Sequence, residues 1–272
     1  MKNIAFVKMV ASGNDFVVID NRKALIPGAK LYSFAREICD RNYGAGGDGL
    51  IALERSKKAD FRMRIINSDG SEAEMCGNGA RCAALFAVGN KIAGKRMDFE
   101  TLAGVIEAEV KGAIVKLKMS DPSGLKLDIN LALSDGGYNV NFVNTGVPHA
   151  VIFVDHLEGH NVKTTGKEVR YHCTFAPRGT NVDFVEVGGR NGPIKVRTYE
   201  RGVEGETLAC GTGVTASAII SAVVKNFKSP VTCLTKGGDS LKIYFKRSGD
   251  DFTDVYLEGG AREVFLGKYL YK

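Results

Sequence analysis

Two stretches of the chain place the same reactive residue in the same setting. Cys76-Gly77-Asn78-Gly79-Ala80-Arg81-Cys82-Ala83-Ala84 aligns with Cys210-Gly211-Thr212-Gly213-Val214-Thr215-Ala216-Ser217-Ala218, with Cys, Gly, Gly and Ala falling together. A glutamate stands four positions before each cysteine, Glu72 and Glu206, and a polar residue nine before, Asn67 and Arg201. Asn14-Asp15-Phe16-Val17-Val18 echoes Asn181-Val182-Asp183-Phe184-Val185 in the same way. A thiol at a helix start meets unpaired backbone N–H groups and the positive end of the dipole, which favour the thiolate and draw its pKa down. The glycines let a ligand approach the backbone, and two converging helix starts make a carboxylate site between the two halves. Two thiols on opposite faces of a carboxylate-bearing carbon suit inversion of that centre. One, as thiolate, removes the proton and the other, as thiol, returns one, while fixed N–H donors meet the charge that builds on the carboxylate.

Both cysteines open segments, 78–91 and 213–226, that are apolar or small on almost every face, the pattern of a buried helix. Around them strand-like runs dominate: 4–9, 16–20, 50–54, 61–66, 105–110, 114–119, 150–154, 182–187, 194–199, 241–245 and 255–257. Residues 109–115 read as a hairpin with a Lys-Gly turn, and 31–39 as a short helix. The class is α+β with mostly antiparallel connections. The repeat divides the chain into two pseudo-symmetric halves, 1–119 together with a C-terminal strand 263–272, and 120–262, each a curved sheet around its own buried helix.

In 272 residues, 37 basic and 31 acidic groups leave a net charge of +6 with no long run of one sign, so nucleic acid is not a predicted partner. No apolar run spans a membrane and the first residues do not form a signal peptide, so a cytoplasmic protein without a membrane partner is expected. Six cysteines without Cys-x-x-Cys or Cys/His spacing predict reduced thiols and no metal site. Gly44-Ala45-Gly46-Gly47-Asp48-Gly49 matches a dinucleotide fingerprint by letter, but it follows a helix and precedes a strand, the reverse of that fold.

Ser12-Gly13-Asn14-Asp15-Phe16, Asn67-Ser68-Asp69-Gly70-Ser71, Met75-Cys76-Gly77-Asn78-Gly79-Ala80-Arg81-Cys82, Tyr199-Glu200-Arg201-Gly202 and Ala209-Cys210-Gly211-Thr212-Gly213 resemble the diaminopimelate epimerase family, and the likeness runs from residue 4 to the carboxyl end. The resemblance implies two similar domains, each a β-barrel-like sheet round a central helix. It also implies cofactor-independent interconversion of L,L- and meso-2,6-diaminopimelate for lysine and peptidoglycan synthesis, and a homodimer. By the same resemblance Cys210 takes the proton from the L,L substrate and Cys76 delivers one, with His149 and Glu200 tuning the thiols. Asn14, Asn67, Asn181 and the Glu200-Arg201 pair match substrate-contacting positions, and Gly77-Asn78 and Gly211-Thr212 match backbone donors to the reacting carboxylate. Two positions depart from the family: Gly146-Val147-Pro148-His149 stands for Gly-Asn-Pro-His, and Gly49 for a glutamine of some members.

A racemase of the same fold for proline, hydroxyproline or histidine is the second reading, against which stands Asn78 where proline racemases usually carry histidine. A non-catalytic amino-acid-binding protein is the third, disfavoured by retention of both thiols. Cys39, Cys82, Cys173 and Cys233 read as buried packing residues. His156, His160 and His172 read as surface or loop residues, and Glu72 and Glu206 as residues that shape loops or cap helices.

Overall fold

A computed structural model describes residues 2–189 and 192–271. In chain order the elements are β1 (Lys2–Ala11), β2 (Asn14–Asp20), α1 (Leu31–Ile38), β3 (Gly49–Glu54), β4 (Phe61–Asn67), β5 (Glu72–Ala73), α2 (Gly77–Gly89), β6 (Arg96–Thr101), β7 (Gly104–Lys111) and β8 (Ile114–Lys118). They continue as β9 (Ser123–Leu133), β10 (Gly136–Asn144), β11 (Pro148–Phe153), α3 (Val162–Tyr171), β12 (Asn181–Val187), β13 (Ile194–Glu200), β14 (Gly205–Thr207) and α4 (Gly211–Val224). The last are β15 (Val231–Thr235), β16 (Ser240–Ser248), β17 (Asp251–Gly260) and β18 (Arg262–Tyr271). Of the C-terminal strand expected over 263–272, Lys272 lies outside the described residues.

The chain forms two compact units, Met1–Leu117 with Gly259–Lys272, and Lys118–Glu258. In the first the strand order is β18-β1-β2-β3-β4-β6-β7-β8, with β5 added on β4. In the second it is β9-β10-β11-β12-β13-β15-β16-β17, with β14 added on β13. The orders match step for step: β2–β3, β4–β6, β11–β12 and β13–β15 are parallel and the other neighbours antiparallel. Each parallel step needs a crossover, and α1, α2, α3 and α4 provide them.

Helix α2 packs against β1, β2, β3, β4 and β7, so its own sheet curls round it, and α4 packs likewise against β10, β11, β12, β13, β15 and β16. This explains why both helices are apolar on every face: no side is left for water. From Gly79 to Ala84 and from Gly213 to Ala222 every residue is buried.

The matching strand orders correct two alignments expected from sequence. Because β2 corresponds to β11 and β3 to β12, Asn14–Val18 is not the counterpart of Asn181–Val185. In each unit the parallel pair is fixed by one register, Phe16 beside Gly49 and His149 beside Asn181. Following the next ladder, Ile51 faces Ile65 where Asp183 faces Thr198, and Ala52 faces Arg64 where Phe184 faces Arg197. Ile66 and Tyr199 face Glu72 and Glu206, so the residue after each, Asn67 and Glu200, are counterparts. The loop to the short strand is one residue longer in the second unit, and counting back from the cysteines therefore mispairs Asn67 with Arg201.

Candidate active site

Cys76 sits immediately before α2 in extended backbone (φ −143°, ψ 120°), and Cys210 immediately before α4 (φ −120°, ψ 113°). Neither helix receives a side-chain cap. A Ser, Thr, Asp or Asn at that place would satisfy an N–H of the first turn. A neutral thiol is a weak acceptor, so these donors remain for a thiolate or a bound anion. The helical ladder itself begins with Ala80 N–H to Cys76 O at 2.8 Å and Val214 N–H to Cys210 O at 2.9 Å.

The third residue of each start is a glycine because something lies directly beneath it. A Cβ on Gly213 would stand 2.3 Å from Asp183 Oδ1, and one on Gly79 would stand 3.0 Å from Ile65 Cδ1 and 3.3 Å from Ile51 Cδ1. The first residue differs: a Cβ on Gly77 would meet nothing within 4 Å, leaving the backbone open to a ligand.

Around Cys76 the polar groups form a chain at the mouth of α2. Arg81 is wholly buried and its guanidinium donates to Asn78 Oδ1, to Ser12 Oγ at 2.9 Å and to Gly260 O at 3.1 Å. Asn78 Nδ2 donates to Asn14 Oδ1 at 2.7 Å, and Asn14 Nδ2 to Asp48 Oδ2 at 2.9 Å. Arginine only donates and a carboxylate only accepts, so the two ends fix which way both amides point. Asp48 and Asp15 share Arg41, each at 2.8 Å, and Lys8 pairs with Asp15 at 2.6 Å. Partial burial works to raise the Asp15 carboxyl, but the hydrogen bonds from Arg41 and Lys8 outweigh it and hold it far below the usual range. Asn67 is exposed, with its amide 3.0 Å from Ser71 Oγ.

Around Cys210 the polar groups lie beneath the helix. His149 and Asp183 are completely buried with Nδ1 and Oδ2 2.7 Å apart, and Thr198 Oγ1 donates to Asp183 Oδ1 at 2.7 Å. His149 Nε2 is buried without a hydrogen-bond partner. Burial, with Glu200 and Asp183 nearby, pushes the Cys210 thiol up, against the pull of the Thr212 hydroxyl and the Gly213 N–H. The helix start therefore does not make Cys210 a resting thiolate as the sequence suggested: burial wins, and the thiol needs a base. Burial also raises the Glu200 carboxyl. Thr212 Oγ1 lies 3.4 Å from Cys210 Sγ, while Thr212 O accepts from Thr145 Oγ1 at 3.0 Å.

Asn181 holds backbone rather than offering a bare amide. Its Nδ2 donates to Pro148 O at 3.1 Å and its Oδ1 accepts from Arg201 N–H at 2.8 Å, tying β11 to the turn that begins at Arg201, directly after Glu200 at the end of β13. The half-buried Arg201 side chain forms no ion pair among the described residues, which leaves its fork for a carboxylate. Gly211, half-buried, has Leu257 Cδ1 3.4 Å from where its Cβ would be.

Four residues that sequence reasoning missed hold the approaches to the cysteines. Arg64 grips Glu72 with both Nε and Nη2 at 2.7 Å, and Arg197 grips Glu206 at 2.6 and 3.0 Å. Tyr32 and Lys236 complete the two clamps at 2.8 and 2.6 Å. Glu72 and Glu206 thus bind the short strands β5 and β14, which lead to the cysteines, and cap nothing. The counterpart places of Arg64 and Arg197 in the ladder were the available signal, and a strand register is needed to see it.

Cys39, Cys82 and Cys233 are buried as expected, and burial raises the first two to about 12. Cys173 is exposed, contrary to expectation, because it begins a single helical turn after α3. The ring of His160, half-buried, packs on Phe184 at 4.5 Å. In the glycine-rich loop, the N–H groups of Gly44, Ala45, Gly46 and Gly47 all bond to carbonyls of residues 38–40, so none is left to cradle a phosphate. Gly49 has no room for a side chain, since a Cβ would stand 2.8 Å from Ile66 O. Among the described residues no group of His, Cys, Asp and Glu could hold a metal ion.

Comparison with known proteins agrees with this geometry. The family model for diaminopimelate epimerase matches residues 6–123 and 141–264. Diaminopimelate epimerase of Aquifex aeolicus is 46% identical over 97% of this chain and 96% of its own length, and that of Archaeoglobus fulgidus 44% over 97% and 95%. Among solved structures, a Bacillus anthracis phenazine biosynthesis protein of the PhzF family superposes with a TM-score of 0.77 at 16% identity, over 100% of both chains. A probable proline racemase from Agrobacterium radiobacter gives 0.71 at 14%, over 99% of this chain and 93% of that one. These two likenesses show the α+β fold. The matches over nearly the whole length show more: the chain belongs to the diaminopimelate epimerase family.

Proposed function

We propose that this protein is an isomerase that interconverts L,L- and meso-2,6-diaminopimelate without a cofactor, with Cys76 and Cys210 as the two acid/base groups. The observation that carries the reading is the repeated helix start: in each unit a thiol stands where an oxygen cap would, and no side-chain cap hydrogen bond closes the first turn. With L,L substrate, Cys210 as thiolate takes the α-proton and Cys76 as thiol delivers one to the other face; the reverse reaction exchanges the roles. The N–H groups of Gly77, Asn78, Gly211 and Thr212 meet the charge on the carboxylate as it becomes enediolate-like. Because burial holds Cys210 as thiol, a base must first remove its proton, and His149 and Glu200 are the groups assigned to this tuning.

Arg201 takes a carboxylate of the substrate, and Asn14 and Asn67 offer amides to its polar ends. Asn181 contributes by holding Arg201 in place. Val147 in the Gly-Val-Pro-His turn removes one amide from recognition of the distal end. A homodimer and a cytoplasmic location are part of the same reading, supported by the family; among the described residues no helix is long and apolar enough to cross a membrane. The test is incubation of L,L-diaminopimelate with the protein and a reductant in heavy water. Meso product carrying α-deuterium is expected, and absence of both product and deuterium would sink the proposal.

A further inference from the structure

The unit that carries Cys210 contains a buried polar triad which the unit that carries Cys76 replaces with hydrocarbon. His149, Asp183 and Thr198 occupy the ladder places of Phe16, Ile51 and Ile65; all three apolar residues lie under Gly79, and Asp183 and Thr198 lie under Gly213, the second glycine of each Cys-Gly-x-Gly start. The same fold is thus built in this molecule without the triad, so its presence in one unit calls for a reason other than folding. A buried carboxylate and imidazole carry a desolvation cost that three apolar side chains avoid.

The geometry shows what the triad does to the histidine. The Thr198 hydroxyl occupies Asp183 Oδ1, leaving Oδ2 for the ring at 2.7 Å. A carboxylate only accepts, so Nδ1 carries the hydrogen. Nε2 then faces a buried place with no partner. A buried N–H without an acceptor is rarer in proteins than an acceptor short of a donor, so the neutral ring keeps a bare lone pair at Nε2. The close approach of Gly213 to Asp183 Oδ1 leaves the carboxylate little room to turn away.

We propose that Asp183, braced by Thr198, is a positioning residue that fixes His149 as the Nδ1–H tautomer and so keeps Nε2 bare as a proton-accepting atom. The inference rests on the reading of His149 as a base for the thiols. In the step it serves, the S–H bond of a catalytic thiol breaks and an Nε2–H bond forms, giving thiolate and imidazolium. The Asp183 carboxylate, already on the other ring nitrogen, stabilises the cation, and the proton returns by the reverse step.

Asp183→Asn is the test. Thr198 holds the amide carbonyl at the Oδ1 place, the NH2 group then faces Nδ1, and the ring must change to the Nε2–H form. Proton–nitrogen NMR spectra of protein labelled in its histidine rings read the tautomer directly, with His149 assigned by its loss in His149→Gln. The Nδ1–H form is expected in the parent and the Nε2–H form in Asp183→Asn. With L,L-diaminopimelate, kcat of Asp183→Asn should fall about 10²- to 10⁴-fold with KM little changed. Thr198→Val keeps the carboxylate, so it should retain the parent tautomer and lose less. A parent already in the Nε2–H form, or parent-like kcat in Asp183→Asn, overturns the proposal. If Asp183→Asn does not fold, the tautomer of the parent and of Thr198→Val decides alone. His149→Gln separates the two ways of failing. Parent-like turnover there removes the reading of His149 as a base, whereas lost turnover there with an unaffected Asp183→Asn removes only the role of Asp183.

Discussion

The two units share a strand order, a buried helix and a Cys-Gly-x-Gly start, but they put polar groups in different places. Around Cys76 the polar chain Arg81–Asn78–Asn14–Asp48 runs across the helix mouth, and what lies beneath is Phe16, Ile51 and Ile65. Around Cys210 the layer beneath is His149, Asp183 and Thr198. What the fold needs is therefore only the clamp common to both, Arg64 with Glu72 and Arg197 with Glu206, and the helix in its sheet. On the two-thiol mechanism proposed above, the differences between the units belong to the chemistry, which asks opposite things of two thiols at any moment of turnover.

If both thiols take part in every turnover, removing either is equally severe. Cys76→Ala and Cys210→Ala should each reduce epimerisation by about 10⁴-fold in either direction, measured by chiral chromatography of the product. One variant retaining substantial turnover would show that the units are unequal partners. A gentler way to break the comparison converts one unit's floor into the other's. His149→Phe with Asp183→Ile and Thr198→Ile should keep the fold, with stability unchanged or raised by about 1–4 kcal/mol in urea unfolding, because well-packed apolar groups replace a buried charged pair. Turnover of that triple variant should fall about 10²- to 10⁴-fold. A variant that fails to fold would mean that the triad is structural after all.

The shared clamp predicts a symmetric effect. Arg64→Met and Arg197→Met each leave a nearly buried glutamate without its bidentate partner, at a cost of about 3 kcal/mol in urea unfolding. Both should also lower kcat, since β5 and β14 lead to the cysteines. Lys236→Ala, which removes a 42% exposed partner of Glu206, should cost less than about 1 kcal/mol. An Arg197→Met protein as stable as its parent would break the equivalence of the two clamps.

The sequence made the repeat legible where the repeat is local. Cys-Gly-x-Gly followed by apolar residues on all faces has one structural meaning, and α2 and α4 lie close to the expected segments. Register across strands is not local, and that is where reading fails: Asn14, on β2, lines up in letters with Asn181 although β2 answers β11 and not β12, and Asn67 lines up with Arg201 because an added loop residue in the second unit shifts the count. Strands β6, β9, β10 and β15 are absent from the sequence reading; in β6 the alternation of Met97 and Phe99 with charged residues looks like surface. Helix α3 escaped because Gly166 and two threonines read as a loop; the glycine is there since a Cβ would stand 2.6 Å from Tyr199 Cβ on β13. The His149–Asp183–Thr198 layer comes from three separate strands, so no spacing along the chain announces it.

The smallest effect concerns the ladder place where Asn67 in one unit answers Glu200 in the other. Burial raises the Glu200 carboxyl above its ordinary value of 4.5. Between the ordinary range and the raised value the folded protein holds the proton while the unfolded chain has released it. The unfolded state then binds fewer protons, so stability falls as pH rises through that window and the loss is complete above it. Glu200→Gln makes the place neutral, as Asn67 is, and removes this share of the pH dependence. Urea midpoints taken from the ordinary carboxylate range upward should fall less steeply for Glu200→Gln than for the parent, while the same series for Asn67→Gln should follow the parent. Coincident slopes for Glu200→Gln and parent would show that the carboxyl titrates alike in both states. The two counterpart places would then differ in the side chain they offer to substrate and not in what the fold does to it.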